Sequence, residues 1–283
     1  LLSNLSWGQM NHPKVSPFAK IEQEVGNSKI TIEYSRPSAK GRTLFGNQPN
    51  GEPGLVPYGR IWRAGANEST KITFSSDVFI EGQKLVKGTY ALYAFPEEKE
   101  WQIVFHKNTA HWGDGRSNYN AKEDALRVIV VPIHKHDFQE TFLISFGVIN
   151  HNGALMNWNW GNTEVSIPIQ FDTESIFQEQ INAELLRSPT AQTYYEIARY
   201  YQEQGLNFTE ALGYVDDAID MGGDTYYFHR VRSLILADLK KYEAAIKASN
   251  ISIVLAEKEG KDEFVRLNQN DIRRWKTLQS TNK

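Results

Sequence analysis

The spacing of apolar residues changes once along this chain, near residue 170, and that change calls for two folding units of different kinds. Before it, apolar and polar residues alternate in short runs; after it, apolar residues return every three to four positions. A period of two suits one face of a strand and a period of 3.6 suits one face of a helix. The expectation is a multidomain chain, mainly-β and then all-α.

The alternation starts at Ile21-Glu22-Gln23-Glu24-Val25, turns at Gly26-Asn27-Ser28 and resumes from Lys29, with Ile30, Ile32 and Tyr34 on one face. Further runs occupy 71–74, 78–81, 84–85, 90–95, 101–107, 126–133, 141–148, 155–160 and 165–170. Turns such as Lys87-Gly88-Thr89 and Asn152-Gly153 are too short to hold helices, so the strands pair mostly antiparallel, as a sandwich or a flattened barrel. We carry forward an antiparallel β-sandwich-like domain over residues 15–170. Two connections, 35–59 and 108–120, are longer than simple turns, and long ordered loops on a β scaffold are usual places for binding groups.

From residue 172 to 283 the pattern is helical. Asp172-Thr173-Glu174 supplies a cap and negative charge for a helix through Leu186, and Ser188-Pro189 reads as the start of the next. Phe208, Ala211, Leu212, Val215, Ala218 and Ile219 recur as Tyr242, Ala245, Ile246, Ser249, Ser252 and Ile253, an offset of 34. That period predicts tetratricopeptide-like helical hairpins. Tyr194, Ile197, Ala198 and Tyr201 form the expected inner stripe of one helix, and Phe228, Val231 and Ile235 that of another.

Composition excludes several function classes. No apolar run approaches the ~18 residues of a membrane span, and the net charge of −3 leaves no basic excess for a nucleic-acid backbone. There is no cysteine, hence no disulfide, thiolate metal site or cysteine nucleophile. A serine triad, a phosphate-gripping glycine loop and a dinucleotide fingerprint are absent, so no cofactor is expected and no catalytic residue is assigned. Leu1-Leu2-Ser3-Asn4-Leu5-Ser6-Trp7-Gly8-Gln9 reads as the tail of a signal peptide, with Ser6 and Gly8 as the small residues before a cleavage point. Residues 1–14 are therefore expected to be a signal-peptide remnant and arm, and the protein to be exported, periplasmic and soluble.

The densest chemistry lies in Pro57-Tyr58-Gly59-Arg60-Ile61-Trp62-Arg63-Ala64-Gly65-Ala66-Asn67-Glu68-Ser69-Thr70. Arg36, Arg42 and Arg63 carry guanidinium forks suited to a carboxylate or phosphate, although internal pairing with Glu33, Glu52 or Glu68 would also employ them. Asn67 offers an amide, Glu68 a carboxylate, and Trp62 and Trp112 flat aromatic faces. These seven residues, Arg36, Arg42, Trp62, Arg63, Asn67, Glu68 and Trp112, form the candidate ligand-binding set. His134 and His136 would share a strand face, and His106, His111 and His151 are the other histidines a metal site would draw on, but a solvated strand end is the simpler expectation, and no metal is assigned. Core packing is likewise the first expectation for Trp101, Trp158 and Trp160.

Ser16-Pro17, Tyr34-Ser35-Arg36-Pro37-Ser38, Gly41-Arg42, Phe45-Gly46, Pro57-Tyr58-Gly59, the run from Trp62 to Thr70, Gly88-Thr89-Tyr90-Ala91-Leu92 and Trp112-Gly113 occur in one order. In that order they resemble the exported bacterial proteins of domain of unknown function 2911, across the whole β domain. The resemblance implies export and a β fold and brings no activity with it. The leading expectation is a binding protein whose β domain holds a small polar or anionic ligand or a peptide while the helices engage a protein partner. The alternative is a hydrolase of envelope glycans using Glu68 and Asp114 as acid and base.

Overall fold

The structure, a computed structural model, describes residues 12–113 and 118–281. The signal-peptide reading of 1–11 and the carboxylate of Asp114 lie outside the described residues. The chain forms two compact units that divide between Phe177 and Gln178.

Among the described residues the first unit holds ten strands: β1 (Phe18–Val25), β2 (Ser28–Ser35), β3 (Thr70–Phe74), β4 (Val78–Ile80), β5 (Gln83–Leu85), β6 (Gly88–Pro96), β7 (Trp101–His106), β8 (Asp124–Val130), β9 (Ile133–Gly147) and β10 (Gly153–Gln170). They make two antiparallel sheets, ordered β1-β2-β3-β6-β7-β8 and β5-β4-β10-β9. Alternation does what the sequence pattern requires. Ile30, Ile32 and Tyr34 of β2, Ile72 and Phe74 of β3 and Ile103 and Phe105 of β7 share one buried core with Phe142 and Ile144 of β9 and Trp158, Ile167 and Ile169 of β10. Six rings, Phe45, Trp62, Trp101, Phe142, Trp158 and Trp160, interlock at one end of it, mostly edge to face at centroid separations of 4.8 to 6.3 Å.

Segment 36–39 runs along the free edge of β9. Phe142 N–H donates to Pro37 O (2.8 Å), Ala39 N–H to Glu140 O (2.8 Å), and Ser38 bridges Thr141. The Tyr34 hydroxyl accepts from Ile144 N–H at 3.1 Å, tying the two sheets together. An edge that would otherwise offer unpaired main-chain groups is thus covered.

Two strand expectations change. The runs 155–160 and 165–170 form one strand, because β10 passes through register shifts around Gly161 rather than turning. Gly161 has φ +60°, and a Cβ there would stand 2.6 Å from Leu44 Cδ1. Ile133 belongs to β9 and not to the strand before it, since Pro132 has no N–H to continue the ladder of β8. His134 and His136 are accordingly exposed within a strand instead of beyond its end.

Among the described residues six helices follow: α1 (Thr173–Leu185), α2 (Ala191–Gln204), α3 (Phe208–Asp220), α4 (Tyr226–Asp238), α5 (Tyr242–Lys258) and α6 (Asp262–Thr281). In the second unit α2 packs on α3, α4 on α5 and α5 on α6. Helix α2 starts two residues later than Ser188-Pro189 suggests: Thr190 is the cap, its hydroxyl accepting from Thr193 N–H while the Thr193 side chain accepts from Thr190 N–H in return. The inner stripe of α2 contains Tyr195 rather than Tyr194, because Tyr195 lies flat on Phe228 of α4, with centroids 4.4 Å apart and planes 2° from parallel. Helices α3 and α5 begin at Phe208 and Tyr242, 34 positions apart, with Ala211 and Ala245 both fully buried. Among the described residues no helix is long and apolar enough to cross a membrane.

Candidate functional site

Strand β6 runs on past its partner β3, and the vacated place is taken by Trp62, which exchanges two 2.8 Å main-chain bonds with Ala94. Its indole turns into the ring cluster while Nε1 donates to Gly65 O at 3.3 Å. The chain then folds back through Ala64 (φ +52°), Gly65 (φ +156°) and Asn67 (φ +60°). A side chain at Gly65 has no room, since a Cβ would lie 2.8 Å from Ser35 O.

Both long connections dock on this turn. Ala66 N–H donates to Ser35 O (3.3 Å), and the Asn67 amide donates to Ser16 O (3.2 Å) and Ser35 Oγ (3.1 Å). From the other side, Ser69 N–H donates to His111 O (3.3 Å) and Gly113 N–H to Asn67 O (3.1 Å). Glu68 and Trp112 face each other across this pairing, both at the surface, with Trp112 68% exposed. The three stretches that carry the candidate residues are therefore one neighbourhood.

Within it the residues separate by role. Arg36 is half-buried and its Nε donates to Phe142 O at 2.8 Å, holding the 36–39 segment to β9. Arg42 is exposed; Nε donates to Ala39 O (3.0 Å) and Nη2 to Ser38 O (2.8 Å), so two of its five N–H groups fix its direction. Arg42, the half-buried Arg63 and the mostly buried Trp62 wall a cavity of about 320 Å³ with Pro37, Leu55 and Trp160. Two arginines among apolar and aromatic wall residues suit a small anion with an apolar part. Arg36, Asn67, Glu68 and Trp112 lie outside that wall.

A second polar cluster occupies the outer face of the six-stranded sheet, on Tyr93, His106, His111, Tyr119, Asp124 and Arg127. His106 is wholly buried, with Nδ1 3.0 Å from Asp124 Oδ1 and Nε2 3.5 Å from Glu123 Oε2. Asp124 also accepts from Tyr119 OH (2.7 Å) and Arg127 Nη2 (2.8 Å), and Arg127 lies over the Phe95 ring. Tyr93 OH is 3.0 Å from His111 Nδ1. Burial, and then the hydrogen bond to Asp124, push the Tyr119 phenol well above the usual tyrosine range, against the opposing pull of Arg127. Burial raises the Tyr93 phenol too, opposed by a bond from Ser69 and by the charge of Arg63, which links this cluster to the turn. Closed to solvent, His106 braces the segment that returns over the sheet rather than meeting a ligand. Its partners come from two strands and a loop, so no spacing in the sequence announces them. The visible hint is a tyrosine and a histidine at positions of β6 and β7 that alternate with core residues.

Among the described residues no three or more His, Asp or Glu side chains stand where they could hold a metal ion. Comparison with curated proteins finds no match, and comparison with solved structures finds none. A protein-family model described as a protein of unknown function (DUF2911) matches residues 16–169, which is the β unit almost entire and more than half of the chain. With the ordered motifs around the Trp62–Thr70 turn, this places the chain in the DUF2911 family.

Proposed function

We propose that the protein is a binding protein whose β unit takes a small anionic ligand, a carboxylate or a phosphate, in the cavity walled by Arg42, Arg63 and Trp62. The observation that carries this reading is that Arg42 and Arg63 both line one recess whose other walls are largely apolar and aromatic. Arg42 is held by main-chain carbonyls and points without reorganisation, which lowers the entropy lost on binding. In the same reading the helices form tetratricopeptide-type hairpins that engage a protein partner, supported by the 34-residue offset between α3 and α5. Export to the periplasm completes the reading and rests on the resemblance to an exported family.

Calorimetric titration with a sugar acid, inorganic phosphate and a short acidic peptide tests it. At least one should bind with one-to-one stoichiometry, and Arg42→Ala should weaken it by roughly tenfold or more, the worth of a hydrogen bond to a charged group. No binding by any of the three, or binding indifferent to Arg42→Ala and Arg63→Lys, overturns the proposal.

A further inference from the structure

A second recess in the β unit has the opposite chemistry. Its volume is about 350 Å³, and its wall residues include Phe45, Tyr58, Trp101, His134, Glu97 and Glu98, with no lysine or arginine among the described residues that line it. We propose that this recess is a binding site for an organic cation, a quaternary ammonium, guanidinium or alkylammonium group.

Three features build it. Glu97 and Glu98 sit on the turn between β6 and β7, which closes with Glu97 N–H donating to Glu100 O at 3.0 Å. The neighbouring strap is tied to the same turn by Gly59 N–H donating to Pro96 O at 2.9 Å, and a Cβ on Gly59 would come within 3.2 Å of Glu97 Oε1. Tyr58, 41% exposed, lies flat against Gly46, where φ is +72° and a Cβ would meet the ring at 2.6 Å. Glycine at 46 therefore lets the ring settle into one place and stay there. The Tyr58 phenol is raised above its usual range by burial, then by Glu98 and Glu97, so both carboxylates act on the space that the ring borders.

A cation placed there has two glutamates and the aromatic residue Tyr58, 41% exposed, in its wall, the kinds of group that recognise ammonium and guanidinium ions. An anion would meet repulsion from both carboxylates. The volume is at the small end of ligand sites and suits a single head group with a short apolar tail. This site shares no wall residue with the anion cavity, so it stands or falls separately from the proposed function.

The test titrates the full chain calorimetrically with tetramethylammonium, methylguanidinium and butylammonium chlorides, with sodium chloride as the ionic-strength control. At least one cation should bind one-to-one beyond the sodium effect. Glu97→Gln with Glu98→Gln should weaken it by roughly tenfold, Tyr58→Ala comparably and Tyr58→Phe little, since the ring face and not the hydroxyl is used. Arg42→Ala should leave cation binding unchanged. If none of the three cations binds above sodium, or if binding survives the double glutamine variant while that variant keeps the wild-type unfolding temperature, the inference is overturned. The relative affinities of the three identify which head group the site prefers.

Discussion

Asn67 tolerates a left-handed backbone because its amide is short and polar, and it uses that amide to hold Ser16 and Ser35. Gly65, two positions earlier, has no such latitude. Gly65→Ala should cost about 2–4 kcal/mol, from a disfavoured φ of +156° together with the overlap at Ser35 O, read as a fall in the urea midpoint. An unchanged midpoint would mean that the turn relaxes freely. Tyr34→Phe tests the bond between the sheets. It strips the partner from Ile144 N–H in a buried place and should destabilise by about 1–3 kcal/mol with the core rings undisturbed. The sequence makes the turn conspicuous by composition, yet it does not separate the arginines. Arg36 and Arg42 look alike in a string of letters, and only the return of β9 beside residues 36–39 gives Arg36 a carbonyl to hold.

At the scale of elements, the helical repeat shows how periodicity and its exceptions are both meaningful. Val215 and Ala218 of α3 correspond to Ser249 and Ser252 of α5, fully buried hydroxyls where the first copy is apolar. Asn268 of α6 accounts for them: its Oδ1 accepts from Ser249 Oγ (3.1 Å) and from Arg230 Nη1 (2.9 Å), and its Nδ2 donates to Ser252 Oγ (2.8 Å). Asn268→Ala should therefore destabilise the second unit by about 1–3 kcal/mol for the polar groups left unsatisfied. Asn268→Leu combined with Ser249→Val and Ser252→Ala should recover part of that loss, because the two serine hydroxyls go together with their partner, while Arg230 loses one acceptor and keeps Asp271. Failure of the triple variant to outdo Asn268→Ala in thermal unfolding would show that the network does not set the register of α6. The offset of 34 predicts where α3 and α5 begin. It says nothing of the asparagine, which belongs to a helix outside the repeat. Likewise the alternation of β10 is readable on both sides of Gly161, while the bulge that joins them shows only in the register with β9.

Over the whole molecule, stability should be lost early in alkali. Burial raises the phenols of Tyr34, Tyr93 and Tyr119 in the first unit and of Tyr195 in the second, and Tyr214 is pushed up to about 12 by burial and then by its bond to Glu210. In the unfolded chain these phenols ionise near pH ~10. A group whose folded-state pKa lies above its unfolded value contributes its full stabilisation below the unfolded pKa and loses it as pH rises through the folded one. Urea midpoints should thus hold level from these groups up to pH ~10 and then decline, with the share of tyrosinate absorbance that belongs to these rings appearing in step with unfolding. Ionisation of all thirteen tyrosines near pH ~10 in the still-folded protein would contradict the burial of these rings.

What the sequence determined by itself is the kind of each half: antiparallel strands up to residue 170 and helices after it, because the period of apolar residues is a local property that each segment carries whatever it packs against. The family is legible for a similar reason, since the order of its motifs needs no third dimension. The tertiary structure decided which arginines line a recess and which brace a loop. It also decided that His106 meets Asp124, and that Tyr58 stands beside Glu97 and Glu98. Those pairings depend on strand register and on where long loops return, and they join residues whose separation along the chain bears no fixed relation to their distance in space.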